Sequence, residues 1–259
     1  MATETATPLP GTSVSIAVVP NDRPWKWVEA GWHDLMAAPH VGFFYGAAVV
    51  LAGWALVLIL VWLGALWAVL PAISGFFIVG PIIGAGLYDT SRRLEAGEPV
   101  SLGTAFAAFR RNGTQLGLMG AVLLLINLFW VRLAGLIFMG FFGVNFGTPI
   151  ENLPFAVLRS EQFLPFLVIG TGAGFMLAAA AFAVSAVSIP MLLDRDVSAI
   201  EAVVASIKAT VDNWRAMVFW AGLIVVFTAM ALVPFFLGLA LVLPLIAHAT
   251  WHAYRDLIC

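Results

Sequence analysis

Charge is what this chain has least of: Lys and Arg together number 12 and Asp and Glu 14 in 259 residues, or 10%, where a soluble domain carries roughly a quarter. That scarcity excludes a water-exposed globule. A net charge of −2 excludes a basic nucleic-acid-binding surface. The single cysteine, Cys259, excludes an internal disulfide and a cysteine-based metal cluster. Also missing are a Gly-x-x-x-x-Gly-Lys phosphate loop, a His-Glu-x-x-His zinc helix and a Gly-x-Ser-x-Gly elbow, each of which positions reactive groups by its spacing. Ser185 and Ser188 lie in an apolar run with no motif tying them to a base. The reading is non-enzymatic, with no cofactor.

What is present is apolar. Hydrophobic residues make up 62% of the chain, and from His40 to Val69 there is neither acid nor base. A run of that length is a membrane span, since about 20 apolar residues cross a 30 Å hydrocarbon core. The same criterion places spans at 42–68, 72–88, 116–138, 163–187, 216–233 and 235–252. Pro71 and Pro234 divide two long apolar stretches into hairpins, because proline removes a helical hydrogen bond and crowds the turn before it. The expected fold is therefore all-α, a polytopic bundle of six transmembrane helices. Residues 1–22 lack a signal-peptide pattern and read as a disordered cytoplasmic tail; residues 23–259 read as one integral membrane domain.

Basic residues orient the bundle. Arg23 and Lys26, Arg92, Arg93, Arg110 and Arg111, Arg195, Lys208 and Arg215, and Arg255 all fall on one side of the six-span scheme. That side is the cytoplasm of a bacterial inner membrane, and both termini belong there. The loops on it also resemble one another. Val100 to Phe106 parallels Val197 to Val203, each is followed by a base and an asparagine (Arg111-Asn112, Lys208 and Asn213), and each opens on a helix-capping serine. Ser198 with Glu201 has the spacing of a capping box. Pro24 to Ala37 plays the same part before the first span. The expectation is three parallel repeats, each an amphipathic cytoplasmic helix followed by a transmembrane hairpin.

Few residues could carry chemistry. Arg132 lies inside the third span, where a charge costs roughly 2.5–3.5 kcal/mol on insertion scales; it either snorkels to headgroups or lines a polar cavity with Asn127. His248 and His252, four apart on one helix face, could meet a metal ion, with His33, His40, Asp89 or Asp256 as further ligands. Pro81, Pro190 and Pro244 stand near the ends of returning spans, where a freed carbonyl is either a tolerated kink or a broken-helix site for an ion. Tyr88, Asp89, Ser91, Arg92, Arg93 and Glu95 form a polar cluster just past the second span, matched by Asp194, Arg195 and Asp196; such clusters anchor span ends or face lipid headgroups and partners. Gly42 with Gly46, Gly80 with Gly84, and Gly170 with Gly174 have the spacing that lets helices approach closely.

Three stretches taken together, Gly84 to Glu98, Ser185 to Arg195 and Leu243 to Asp256, resemble the signature segments of the bacterial integral membrane family called domain of unknown function 2189. The resemblance spans roughly residues 25–257 and implies an inner-membrane protein with no assigned activity. The expected function is a non-enzymatic accessory or scaffold component of a membrane complex. A small-solute or ion transporter or channel is the first alternative and a haem- or metal-binding membrane protein the second. Expected partners are membrane lipids and a homo-oligomer or membrane protein complex, without nucleic acid.

Overall fold

The computed structural model describes residues 7–8, 14–64, 73, 75, 80–143 and 153–259. These form helices α1 (Arg23–Ala37), α2 (Pro39–Trp62), α3 (Ala85–Glu95), α4 (Leu102–Ala107), α5 (Gly113–Phe142), α6 (Leu153–Leu158), α7 (Phe163–Ser185), α8 (Ser188–Asp194), α9 (Ala199–Asp212), α10 (Trp214–Leu232) and α11 (Leu239–Leu257). Two short strands, β1 (Thr7–Pro8) and β2 (Ser15–Ile16), pair antiparallel. Among the described residues, four helices are long and apolar enough to cross a membrane: α2, α5, the α7–α8 stretch and α10. The first part of the expected span 72–88, apart from residues 73 and 75, lies outside the described residues, as does Pro71. Its described end is helical at 80–83 and turns at Gly84 into α3.

The four helices of spanning length fall near their expected places, and α11 covers most of the expected 235–252 without being one of the four. α2 begins three residues before 42, with Pro39 in its first turn, where no amide hydrogen is needed. α5 overruns 116–138 at both ends. The stop at Pro234 is confirmed: α10 ends at Leu232, and Phe235 (φ 49°) and Phe236 (φ 68°) carry the chain round in the left-handed region before α11. Trp54 Nε1 of α2 donates to the Phe235 carbonyl at 3.1 Å, fixing that strained tip.

The disordered tail is a correction for residues 14–22. Val14 and Ile16 are buried. Ala17 N donates to the Leu257 carbonyl at 3.0 Å, and Cys259 N donates to the Ser15 carbonyl at 3.0 Å. Asn213 locks the segment further, accepting from Val19 N at 2.8 Å and donating to the Ala17 carbonyl at 3.0 Å. The two ends of the described chain therefore lie side by side.

Close backbone approach holds α11 against α1 and α2. A Cβ on Gly31 would sit 2.6 Å from Ala249 N, and one on Gly46 would overlap the Ala240 carbonyl oxygen. Gly42 admits Leu35 and faces Pro244. The spacing of Gly42 and Gly46 thus does mark a helix contact. Gly174 meets only the ring of Trp130, and Gly170 faces open space.

The surface helices are capped as their sequences dictate. Ser198 and Glu201 make a reciprocal capping box on α9, and Ser101 and Thr104 make one on α4. At the start of α5, Asn112 Nδ2 donates to the Val197 carbonyl at 3.3 Å and Gln115 Oε1 accepts from Ala199 N at 2.9 Å, tying that span to the head of α9.

Candidate functional site

The polar side chains gather where the last turns of α3, α8 and α11 meet α1. α11 is the hub. Its final turns carry polar groups on every face, and each face has a different neighbour. Toward α3, Ser91 Oγ and His248 Nδ1 are hydrogen-bonded at 2.7 Å, and Trp251 Nε1 donates to Glu95 at 3.2 Å. Toward α1, His252 Nε2 donates to Asp34 at 2.8 Å, while Asp256 accepts from Trp27 Nε1 at 2.6 Å and from Arg23 Nε at 2.6 Å. Toward α8, Tyr254 donates its hydroxyl proton to Asp194 at 2.6 Å and accepts from Arg195 Nε at 3.1 Å. His248, Trp251 and Tyr254 are fully buried.

A second cluster stands on α3. Asp89, whose side chain is 1% exposed, accepts from Arg92 Nε and Arg93 Nε, each at 2.7 Å, and Arg111 lies 3.7 Å away. Glu98 bridges Arg92 at 3.3 Å and Arg93 at 3.1 Å. A buried carboxylate is tolerated only when paired in this way.

Electrostatics follow from these contacts. Partial burial works against the Arg92 charge, but the hydrogen bonds and charges of Asp89 and Glu98 outweigh it and raise the pKa. Burial, then the Asp194 carboxylate, push the Tyr254 hydroxyl well above its ordinary range. Burial disfavours the Asp256 carboxylate, yet the bonds from Arg23 and Trp27 and the Arg23 charge prevail, so its pKa is lowered. Each group keeps the protonation state that its bond requires near neutral pH.

The sequence-predicted residues separate on this frame. His248 and His252 share a face, but one ring bonds Ser91 and the other Asp34. His33 and His40 are exposed on or beside α1, and Asp89 and Asp256 are held by arginines. No group of three His, Cys, Asp or Glu able to hold a metal ion occurs among the described residues. Ser185 and Ser188 bond the carbonyls of Ala181 and Val184, each at 2.7 Å, and do not meet a histidine. Arg132 and Asn127 diverge: Arg132 is exposed on the outer side of α5, about 28 Å along the helix, whereas Asn127 faces inward beside Gly75. The two side chains therefore do not line one cavity together, and Asn127 Oδ1 is buried with no hydrogen-bond partner among the described residues. Tyr88 is buried with its ring against Gly84, beside the Asp89 and Arg92 pair.

Of the three prolines, Pro190 stands at a real helix break, whereas Pro244 lies inside the unbroken α11. Pro190 lies in the first turn of α8, just after the chain leaves α7. There Ser206 of α9 enters the helical ladder, accepting from Val187 N at 3.1 Å and donating to the Ala183 carbonyl at 2.7 Å. A side chain inserted between residues four apart in this way kinks a helix. Pro244 cannot donate to the Ala240 carbonyl, and that oxygen points at Gly46. The turn preceding Pro81 lies outside the described residues. Ser206 and Asp34 were not foreseen as site residues. The one signal for Ser206 is that it lines the same α9 face as Ala199, Ala202, Ala205 and Ala209, all buried.

A cavity of about 180 Å³ lies between α2 and the α10–α11 turn, lined by Val49, Gly53, Leu56, Ile83, Leu232 and Phe236 among others, all apolar.

Apolar helices of spanning length, joined at one end by a buried polar network, define an integral membrane protein. The family model described as predicted integral membrane protein, domain of unknown function 2189, matches residues 69–194 of the chain. The match takes in the Gly84 to Glu98 segment and most of Ser185 to Arg195. The resemblance expected for Leu243 to Asp256 lies beyond it. No curated protein and no solved structure matches the chain.

Proposed function

We propose that this protein is a non-enzymatic scaffold or accessory subunit of a bacterial inner-membrane complex, with six spans and both ends in the cytoplasm. One observation carries the reading. The backbone positions that Pro190 and Pro244 would free are filled by the protein itself, with Ser206 seated in the α7–α8 break and Gly46 against the Ala240 carbonyl.

The threefold repeat is part of the proposal. Ala38, Asn112 and Asn213 each join a surface helix to a span with closely similar backbones (φ −129°, −135° and −113°). Seven positions before each lies a buried small residue: Gly31, Ala105 and Ser206. Gly31 meets Ala249 of α11, Ala105 meets Gly86 of α3, and Ser206 meets Val187 before α8. Each surface helix thus rests on the returning span of the preceding unit, and α1 closes the ring on the last. Chain ends that lie side by side require an even number of crossings. The arginines and lysines at that end fit a cytoplasmic face.

Purification in mild detergent with native mass analysis tests the role. A stable assembly larger than one chain is expected; a lone monomer under every mild condition would overturn it. A transporter is the second reading, favoured by buried polar atoms with no hydrogen-bond partner among the described residues, His248 Nε2 and Asn127 Oδ1 among them, as a polar ligand site would leave them. Solute flux into proteoliposomes that is lost in His248→Ala would establish that reading. Metal or haem binding through His248 and His252 requires metal or colour in the purified protein.

A further inference from the structure

α9 is amphipathic in an unusual sense, with two apolar faces. Its small face, Ala199, Ala202, Ala205, Ser206 and Ala209, is buried against the bundle. Directly opposite stand Ile200 (75% exposed), Val204 (51%), Ile207 (40%) and Val211 (63%). Their spacing of four, three and four residues makes a straight stripe on a helix. Glu201, Lys208 and Asp212 form a charged edge between the two apolar faces, and Lys208 Nζ pairs with Asp212 at 2.6 Å. A soluble protein would not present β-branched aliphatic side chains to water in a row.

We propose that this stripe is immersed in the boundary between headgroups and acyl chains of one bilayer leaflet, so that α9 is a lipid-embedded float as well as a link between spans. Three observations select lipid as the occupant. Immediately after α9, Trp214 (58% exposed), Val218 (64%) and Val225 (63%) make an outward apolar line on α10, a helix of spanning length, so the chain passes from the stripe directly onto a lipid-facing surface. Trp214 stacks under Arg215, whose guanidinium lies 5.2 Å from the ring centre, the pairing of ring and base expected at headgroup level. Four aliphatic side chains in single file also fall far short of the roughly 800 Å² per partner that a stable protein interface buries. α1 repeats the arrangement, with Trp27, Gly31 and Leu35 inward and Trp25, Trp32 and Met36 outward. On α4, exposed Phe106 lies 6.1 Å from Phe44 of the first span. The three helices would form a collar in a single leaflet. This inference goes beyond the scaffold role and holds whether or not a partner protein is found.

The test uses the full chain carrying Cys259→Ser, with single cysteines Ile207→Cys, Val204→Cys, Glu201→Cys and Val225→Cys, each labelled with an environment-sensitive fluorophore. The proteins are reconstituted in phosphatidylcholine–phosphatidylglycerol vesicles at high dilution. Ile207→Cys and Val204→Cys should be quenched several-fold more by lipid spin-labelled high on the acyl chain than by iodide, and Glu201→Cys should show the reverse. Iodide reaching Ile207→Cys as readily as Glu201→Cys would overturn the float. So would shielding from iodide without lipid quenching, the mark of a protein partner or second copy. Val225→Cys, quenched by a deep spin label, reports the span itself; if it alone fails, the membrane reading of α10 is wrong and not the collar.

Discussion

The two ends of the bundle are held by different means. At the polar end, α11 is bonded side chain to side chain to three helices, and Asp89 is enclosed by arginines. Along the apolar length, α5 and α7 present Leu125 (65% exposed), Phe175 (73%) and Met176 (74%) outward, and they meet through rings such as Phe138 and Phe166, 6.0 Å apart. Helices in lipid gain nothing from hiding apolar surface from one another, because the acyl chains are as apolar as leucine. Directional bonds at one end can therefore order what shape alone holds loosely at the other. The contrast predicts that substitutions at the polar end cost more than equally drastic ones along the spans.

The hardest blow to the polar end is Asp89→Ala. It leaves Arg92 and Arg93, whose side chains are 14% and 20% exposed, without their shared carboxylate. Breaking a buried pair from one side costs about 3–5 kcal/mol, and Asp89→Asn should cost less, since its amide oxygen still accepts one bond. Unfolding followed by tryptophan fluorescence in detergent measures both. An Asp89→Ala protein as stable as the parent would mean that packing, not this network, orders the molecule.

Along the spans the discriminating pair is Gly46→Ala and Gly53→Ala. The methyl at Gly46 meets the Ala240 carbonyl, which is backbone and cannot rotate away, whereas nothing lies within 4 Å of the methyl at Gly53. Overpacking of this kind costs about 1–3 kcal/mol, while Gly53→Ala should be neutral or slightly stabilising. Equal effects at both sites would deny that α2 and α11 touch there.

Ser206→Ala lies where the two regimes meet. It removes the hydroxyl that serves both Val187 N and the Ala183 carbonyl. The expected loss is about 1–3 kcal/mol for the unsatisfied pair, reduced if α7 straightens and restores its own bond. Hydrogen exchange at Val187 separates the outcomes: faster exchange means an open break, and slower exchange a healed helix.

Much of this was legible in the sequence, for reasons that differ by residue. The spans are written in runs long enough to cross hydrocarbon, Pro234 stops α10 because it cannot donate, and Ser198 with Glu201 caps α9 within four residues. The Gly42 and Gly46 pair is equally local. His248 and His252 show the limit: imidazoles four apart look the same whether they await a metal or bond Ser91 and Asp34, which lie more than 150 positions away. The Ser15–Ile16 strand was hidden for the same cause, since its partners stand at the other end of the chain. Local patterns are read from neighbours, and partners brought by the fold are not. The outward stripe of α9 was not singled out in the sequence, because apolar periodicity says that a face is buried without saying in what.

The gentlest perturbation of the polar end is acid. Asp256 has its pKa lowered below the ordinary 3.8, with burial opposing and the Arg23 and Trp27 contacts prevailing. A carboxylate depressed on folding contributes stability that is complete above its unfolded value and lost as pH falls through the lower, folded one. The docking of α1 on α11 should therefore be insensitive to pH from 7 to about 5 and weaken only below about 4. Asp256→Asn should be less stable than the parent at neutral pH, and the gap should close as the parent is acidified. The fluorescence of Trp27, buried at this contact, follows the change if compared with a Trp27→Phe protein. A parent that loosens already between pH 7 and 5, with Asp256→Asn loosening alongside it, would assign the acid response to another group and leave the Arg23 pair a bystander at the polar end.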